Sequence, residues 1–109
     1  ISQFDMFIPG SGGVRTADEQ NVLFKKGYSQ MDGFDKKSYH QSGLAVDVVP
    51  VKDGYNNAGG FRHFAKCMFR TWQLMIKEGK VSEKYYLEYG GHWTNFVDVP
   101  HWQLKIRQS

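Results

Sequence analysis

The stretch SYHQSGLAVDVVP, residues 38–50, carries an ionisable carboxylate, Asp47, within a run of small and β-branched apolar residues. Residues 44–51, LAVDVVPV, read as a strand that is apolar on both faces, which implies deep burial. A carboxylate withdrawn from water without a partner is expensive. A fold that uses this strand must therefore bring a positive charge to Asp47 or return it to solvent.

The bulk of the sequence narrows what that charge can be. At 109 residues there is room for a single domain, 1–109, with one modest core, and 40% hydrophobic with 16% aromatic residues argues against disorder. The lone Cys67 excludes an internal disulfide and a cysteine-based zinc site. No apolar run approaches the roughly 18 residues of a membrane-spanning helix, so no membrane insertion is expected. No signal-peptide pattern is visible. The net charge of +3 favours an anionic partner. Its lysines and arginines are scattered, however, and no arginine–aromatic ladder suited to stacking bases is present, so nucleic acid is not expected as a partner.

Along the chain, Asp5 to Pro9 reads as a short strand ended by glycines at 10, 12 and 13. Thr16 and Glu19 form a capping-box pattern that opens a helix of about ten residues ending at Gly27, with Arg15 just ahead of it. Residues 28–43 are polar and turn-rich, and the cluster from Gly54 to Gly60 reads as a loop. Beyond it, Phe61, Phe64, Ala65, Met68, Trp72, Met75 and Ile76 recur at helical spacing as far as Gly79. They predict an amphipathic helix of about five turns covering a sheet. YYLEYG and HWQLKI are two further strands, separated by a loop from Gly90 to Pro100. Without a regular βαβ rhythm, the class is α+β: a small antiparallel sheet with a short helix and one long amphipathic helix packed on it.

On an extended strand, residues 45, 47 and 49 share a face, which leaves Asp47 between two small side chains. His40 precedes the bend at Ser42 and Gly43 and can fold back over the strand. In DVPHWQL, His101, Gln103 and Lys105 share one face and Trp102, Leu104 and Ile106 the other, with Asp98 three residues before His101. Two histidines and a carboxylate are a recurring three-ligand set for catalytic zinc, with a fourth position left for water. Zinc would supply the charge that Asp47 needs, and a nearby unligated acid, Asp98, could accept a proton from that water.

These residues carry a family resemblance. SYHQSGLAVDV matches the S-x-H-x-x-G-x-A-x-D motif of the zinc D-alanyl-D-alanine peptidases and L-alanyl-D-glutamate endopeptidases. GGHWTNFVDVPHWQL resembles their G-G-x-W-x-x-F-x-D-x-P-H-W/F-Q motif, and GGVRTADEQNVLFKKG lies upstream in the right order. The resemblance implies a hedgehog/D-Ala-D-Ala peptidase-like fold, with His40, Asp47 and His101 as ligands of Zn2+ and Asp98 as general base. Arg15 would steady the oxyanion, and Ser38 would either orient the peptide substrate or hydrogen-bond beside a ligand. An aspartate three residues before the last histidine resembles the endopeptidase branch, which includes phage endolysins. The implied partner is bacterial peptidoglycan, met by a monomer at the cell wall or periplasm after synthesis in the host cytoplasm and release by another route.

Two other readings stay open. One is a D-Ala-D-Ala carboxypeptidase or dipeptidase using the same metal and a different pocket. The other is a non-catalytic, zinc-stabilised wall-binding module. Among the remaining candidates, His63 reads as solvated on the flank of the long helix, and His92 as a residue at the cleft border where many relatives carry an acid. Cys67, Met68 and Met75 read as core filling.

Overall fold

In the computed structural model, which describes residues 4–108, the capping box at Thr16 forms as its sequence predicts. The Thr16 hydroxyl accepts from the Glu19 amide at 3.1 Å, and the Glu19 carboxylate accepts from the Thr16 amide at 2.9 Å. Together they open α1, Ala17–Lys25. The outermost residues of the domain read over 1–109 lie outside the described range.

The strand read over 44–51 is in fact two strands in two sheets. Strand β2, Ala45–Asp47, joins a three-stranded antiparallel sheet, whereas β3, Val49–Pro50, pairs with β1, Met6–Phe7, in a separate two-stranded antiparallel sheet. The division falls at Val48, whose amide donates to the Pro100 carbonyl at 2.9 Å, while the Asp47 amide donates to the Gly12 carbonyl at 2.8 Å. Val49 therefore does not share a sheet face with Ala45 and Asp47, contrary to the simple alternation. Pro50 has no amide hydrogen to offer a ladder, and it lies in the two-stranded sheet, where an edge position tolerates it.

The larger sheet has the order β2-β5-β4, with β4 at Tyr85–Tyr89 and β5 at His101–Ile106, so β5 is its centre. Register places Asp47 opposite His101, Val46 opposite Trp102, Glu88 opposite Gln103 and Tyr89 opposite Trp102. Side chains alternate across a strand, so the two faces separate cleanly. Trp102 turns to the core, 2% exposed, and packs with Val48, Ala65 and Tyr89. Its indole stacks on Tyr89 at 4.2 Å and meets Phe64 and Phe69 edge-on or tilted. His101 and Gln103 turn the other way.

Phe64, Phe69 and Ala65 belong to α2, Ala58–Lys77, which covers the core face as the spacing predicts. The helix starts earlier than the glycines suggest. The Asn57 side chain caps it by accepting from the Gly60 amide at 2.8 Å, so Gly59 and Gly60 lie in its first turn rather than in a loop. A side chain on Gly60 would press on Pro50, and its absence lets β3 approach the helix. Cys67 is exposed, not core filling, and its sulfur lies 3.7 Å from His63 Nε2. His63, exposed as expected, also stacks on Phe4. The architecture is α+β, with two α-helices and small antiparallel sheets among the described residues.

Candidate metal centre

Three distant segments bring their side chains to the face of the sheet opposite Trp102. Asp47 stands at the end of β2 and His101 at the start of β5, directly across the ladder. His40 arrives from a 3-10 turn, Tyr39–Ser42, which Ser38 caps by accepting from the His40 amide at 3.2 Å. Gly43 closes that turn at φ 72°, a left-handed conformation that glycine adopts without strain, and so directs the chain from His40 into β2. His40 is 2% exposed and His101 7% exposed.

The second nitrogen of each imidazole settles its tautomer. His40 Nδ1 lies 3.0 Å from the Gly13 carbonyl, which can only accept, so the proton sits on Nδ1 and the lone pair on Nε2. His101 Nε2 lies 2.7 Å from Gln103 Oε1, so its proton sits on Nε2 and its lone pair on Nδ1. The two lone-pair nitrogens are 3.2 Å apart, and each is 3.3 Å from Asp47 Oδ1. Asp47 Oδ1 is buried and makes no hydrogen bond of acceptable geometry.

Three electron-rich atoms in mutual contact repel one another unless a cation lies among them. Tetrahedral zinc with ligands at 2.0–2.1 Å would hold them about 3.3–3.4 Å apart, close to the separations seen. The donor set and spacing thus fit a divalent metal ion, and His40, Asp47 and His101 form the metal-competent group among the described residues.

Two further predicted residues border this group. Arg15, 9% exposed, is spread over three acceptors: Nη2 reaches Asp47 Oδ2 at 3.2 Å, Nη1 reaches Gln20 Oε1 at 3.0 Å and Nε reaches the Ser11 carbonyl at 2.6 Å. Burial pulls its pKa down despite the charges of Asp47, Asp98 and Glu19. Asp98 Oδ2 lies 3.8 Å from His101 Nδ1. Burial raises the Asp98 pKa above the ordinary carboxylate value, and the charge of Asp47 adds to the rise against partial relief from His101, His40 and Arg15. Asp47 goes the other way. Burial pushes it up, but the imidazoles of His101 and His40, which in their protonated forms turn N–H donors and positive charge toward it, prevail and hold it well below the usual range. The two carboxylates are thus separated in basicity, and Asp98 is the one better suited to take up a proton.

A cleft of about 700 Å³ opens above the group, lined by Arg15, Ser38, Tyr39, Phe96, Asp98 and Lys105 among others. The five residues expected to carry chemistry and Ser38 therefore meet at one site. His92 does not border it, because its ring stacks on Phe69 of α2 and abuts Tyr89.

What sequence reasoning missed is the support. Gln20, fully buried on α1, orients Arg15 and donates to Ser29 Oγ and the Met31 carbonyl, both at 2.8 Å. Its only signal is an amide one helical turn past the Thr16 cap. The carbonyls of Ser11, Gly12 and Gly13 hold, in succession, Arg15 Nε, the Asp47 amide and His40 Nδ1. Backbone acceptors leave no mark in residue identity.

Comparison with known proteins agrees with this fold. The chain is 29% identical over 94 residues to the L-alanyl-D-glutamate peptidase of Listeria phage A118, a match that covers 86% of this chain and 29% of that protein. It superposes on the crystal structure of the L-Ala D-Glu endopeptidase ChiX of Serratia marcescens with a TM-score of 0.68 and 26% identity, covering 94% of this chain and 68% of that one. A family model described as D-alanyl-D-alanine carboxypeptidase matches residues 32–104, a span that includes His40, Asp47, Asp98 and His101. The chain belongs to this family of peptidases.

Proposed function

We propose that this chain is a zinc-dependent peptidase that hydrolyses the stem peptide of bacterial peptidoglycan between L-alanine and D-glutamate. The observation that carries the reading is the convergence of three lone pairs, from His40, Asp47 and His101, beside a carboxylate of raised basicity in an open cleft. The choice of bond follows the L-alanyl-D-glutamate activity of the phage and Serratia relatives, the phage protein being matched over 29% of its length.

Zinc, when bound, would polarise the scissile carbonyl and make water a competent nucleophile near neutral pH. Asp98 would accept the proton lost as water attacks and return it to the leaving amine. Arg15, already aimed at the Asp47 side of the centre, would stabilise the negative charge that develops on the carbonyl oxygen. Ser38, the cap of the His40 turn on the cleft wall, would place the peptide through its hydroxyl. The protein would act as a monomer at the cell wall.

Metal analysis of the purified protein, a chelator challenge on cell walls and mass analysis of a panel of defined muropeptides test the reading together. Zinc present at one equivalent, activity lost to chelator and a cut between L-alanine and D-glutamate are expected. Release of terminal D-alanine instead would identify a carboxypeptidase, and zinc without any cleavage would identify a wall-binding module. Asp98→Ala is expected to keep zinc while losing turnover by about a hundredfold or more. Near-normal turnover in that variant would remove Asp98 from the mechanism.

A further inference from the structure

Trp93 and Gln103 belong to the C-terminal motif, yet neither is a ligand, base or oxyanion donor. Their side chains meet at Glu88, on the cleft face of β4. Gln103 Nε2 donates to Glu88 Oε1 at 2.9 Å, and Trp93 Nε1 donates to the same oxygen at 2.9 Å. Glu88 and Gln103 are direct cross-strand partners in β4 and β5, so the ladder itself sets their separation. Gln103 Oε1, the other end of the amide, is the atom that meets His101 Nε2 at 2.7 Å.

This chain has a polarity. An amide can rotate by half a turn and exchange its oxygen for its NH2 at nearly the same position. With the NH2 toward His101, Nε2 would have to accept, and the imidazole proton would move to Nδ1. That proton would then point into the space between His40 Nε2 and Asp47 Oδ1, where a metal would need a lone pair. A carboxylate only accepts and an indole N–H only donates. Glu88 therefore admits only the NH2 end of Gln103, and Trp93 fills a second lone pair of the same oxygen from the loop that carries Asp98.

We propose that Glu88, acting through Gln103, is a positioning residue that locks His101 as its Nε2–H tautomer and so keeps Nδ1 open to a divalent metal ion. The inference rests on the metal reading above. It assigns to Glu88 a task that the residue's place on a strand, as one carboxylate among several, does not reveal. Outer partners of metal-bound histidines commonly change metal affinity by about 10–100-fold when removed.

The test is made with zinc alone, in the full chain. Long-range nitrogen-15 NMR of the histidine rings reports which nitrogen of His101 carries the proton in the neutral, metal-free protein, and chelator competition reports zinc affinity. The wild-type ring is expected to be the Nε2–H tautomer. Glu88→Ala and Gln103→Leu are expected to mix the tautomers and weaken zinc by about 10–100-fold. Glu88→Gln, whose amide oxygen can still accept from Gln103 and Trp93, is expected to restore most of both. An Nδ1–H ring in the wild type would overturn the proposal without need of any variant, which keeps it decidable should a substitution fail to fold. So would zinc binding within about twofold of wild type in both disrupting variants. Absence of zinc binding in the wild type would instead overturn the metal reading, and this inference with it.

Discussion

A buried guanidinium needs acceptors along each of its edges, and Arg15 depends on Gln20 for one of them. Gln20 spends its own amide hydrogens on Ser29 and Met31, so one side chain ties α1, the turn-rich segment and the arginine together. Gln20→Leu would preserve bulk but take from the buried Arg15 Nη1 its side-chain acceptor. Each buried polar group so stranded costs about 1–3 kcal/mol. We expect a fall in stability of at least that size in urea unfolding, and an unchanged midpoint would show that Arg15 is held by its other partners. At this scale the sequence was legible where a residue type has scarce uses. Histidines and aspartates at family spacing announce themselves, and His40, Asp47, Asp98 and His101 do meet. An amide on a helix or a glutamate on a strand resembles any solvated residue, and Gln20 and Glu88 were invisible for that reason.

Among the elements, α1 was the most legible, because its start is written in two side chains that satisfy each other's backbone. The Thr16 amide, and after it the Thr16 hydroxyl, donate to the Glu19 carboxyl and hold it below the ordinary glutamate value. A folded pKa below the unfolded one contributes stability that is complete above the unfolded pKa and is lost as pH falls through the folded one. Glu19→Gln keeps an acceptor for the Thr16 amide but does not titrate. Its unfolding midpoint is therefore expected to fall less than that of wild type when pH is lowered from above to below the ordinary glutamate range, and equal losses would exclude this linkage.

The split of LAVDVVPV was not legible. Local pattern cannot tell one long strand from two short ones when the divider is a pair of contacts from Gly12 and Pro100. The loop after β4 shows the same dependence on distant neighbours. Gly90 lies where a Cβ would strike the Asp98 carbonyl oxygen and crowd His101 Cβ at 3.0 Å. Gly90→Ala should press on His101 and force Asp98 away from it, costing zinc affinity through the ligand and turnover through the base. Chelator competition matching wild type would show that the loop absorbs the methyl group.

For the whole molecule, the central strand β5 serves the two faces of the sheet in alternation, Trp102 into the core and His101 and Gln103 into the cleft. Pattern recovered this well, since alternation is a strict property of strands, and with it the placement of α2 over the core. It could not show which loops close over the opposite face. There, three successive carbonyls from Ser11 to Gly13 grip an arginine, an aspartate and a histidine drawn from separate parts of the chain. Every amino acid carries the same carbonyl, so this segment is indifferent to spelling and sensitive to length. Gly13→Ala, where an added methyl meets open space, should pass unnoticed in zinc affinity, whereas one extra residue inserted after Gly12 should shift all three grips out of step and abolish it. Insertions and deletions, rather than substitutions, are the changes that this loop would forbid.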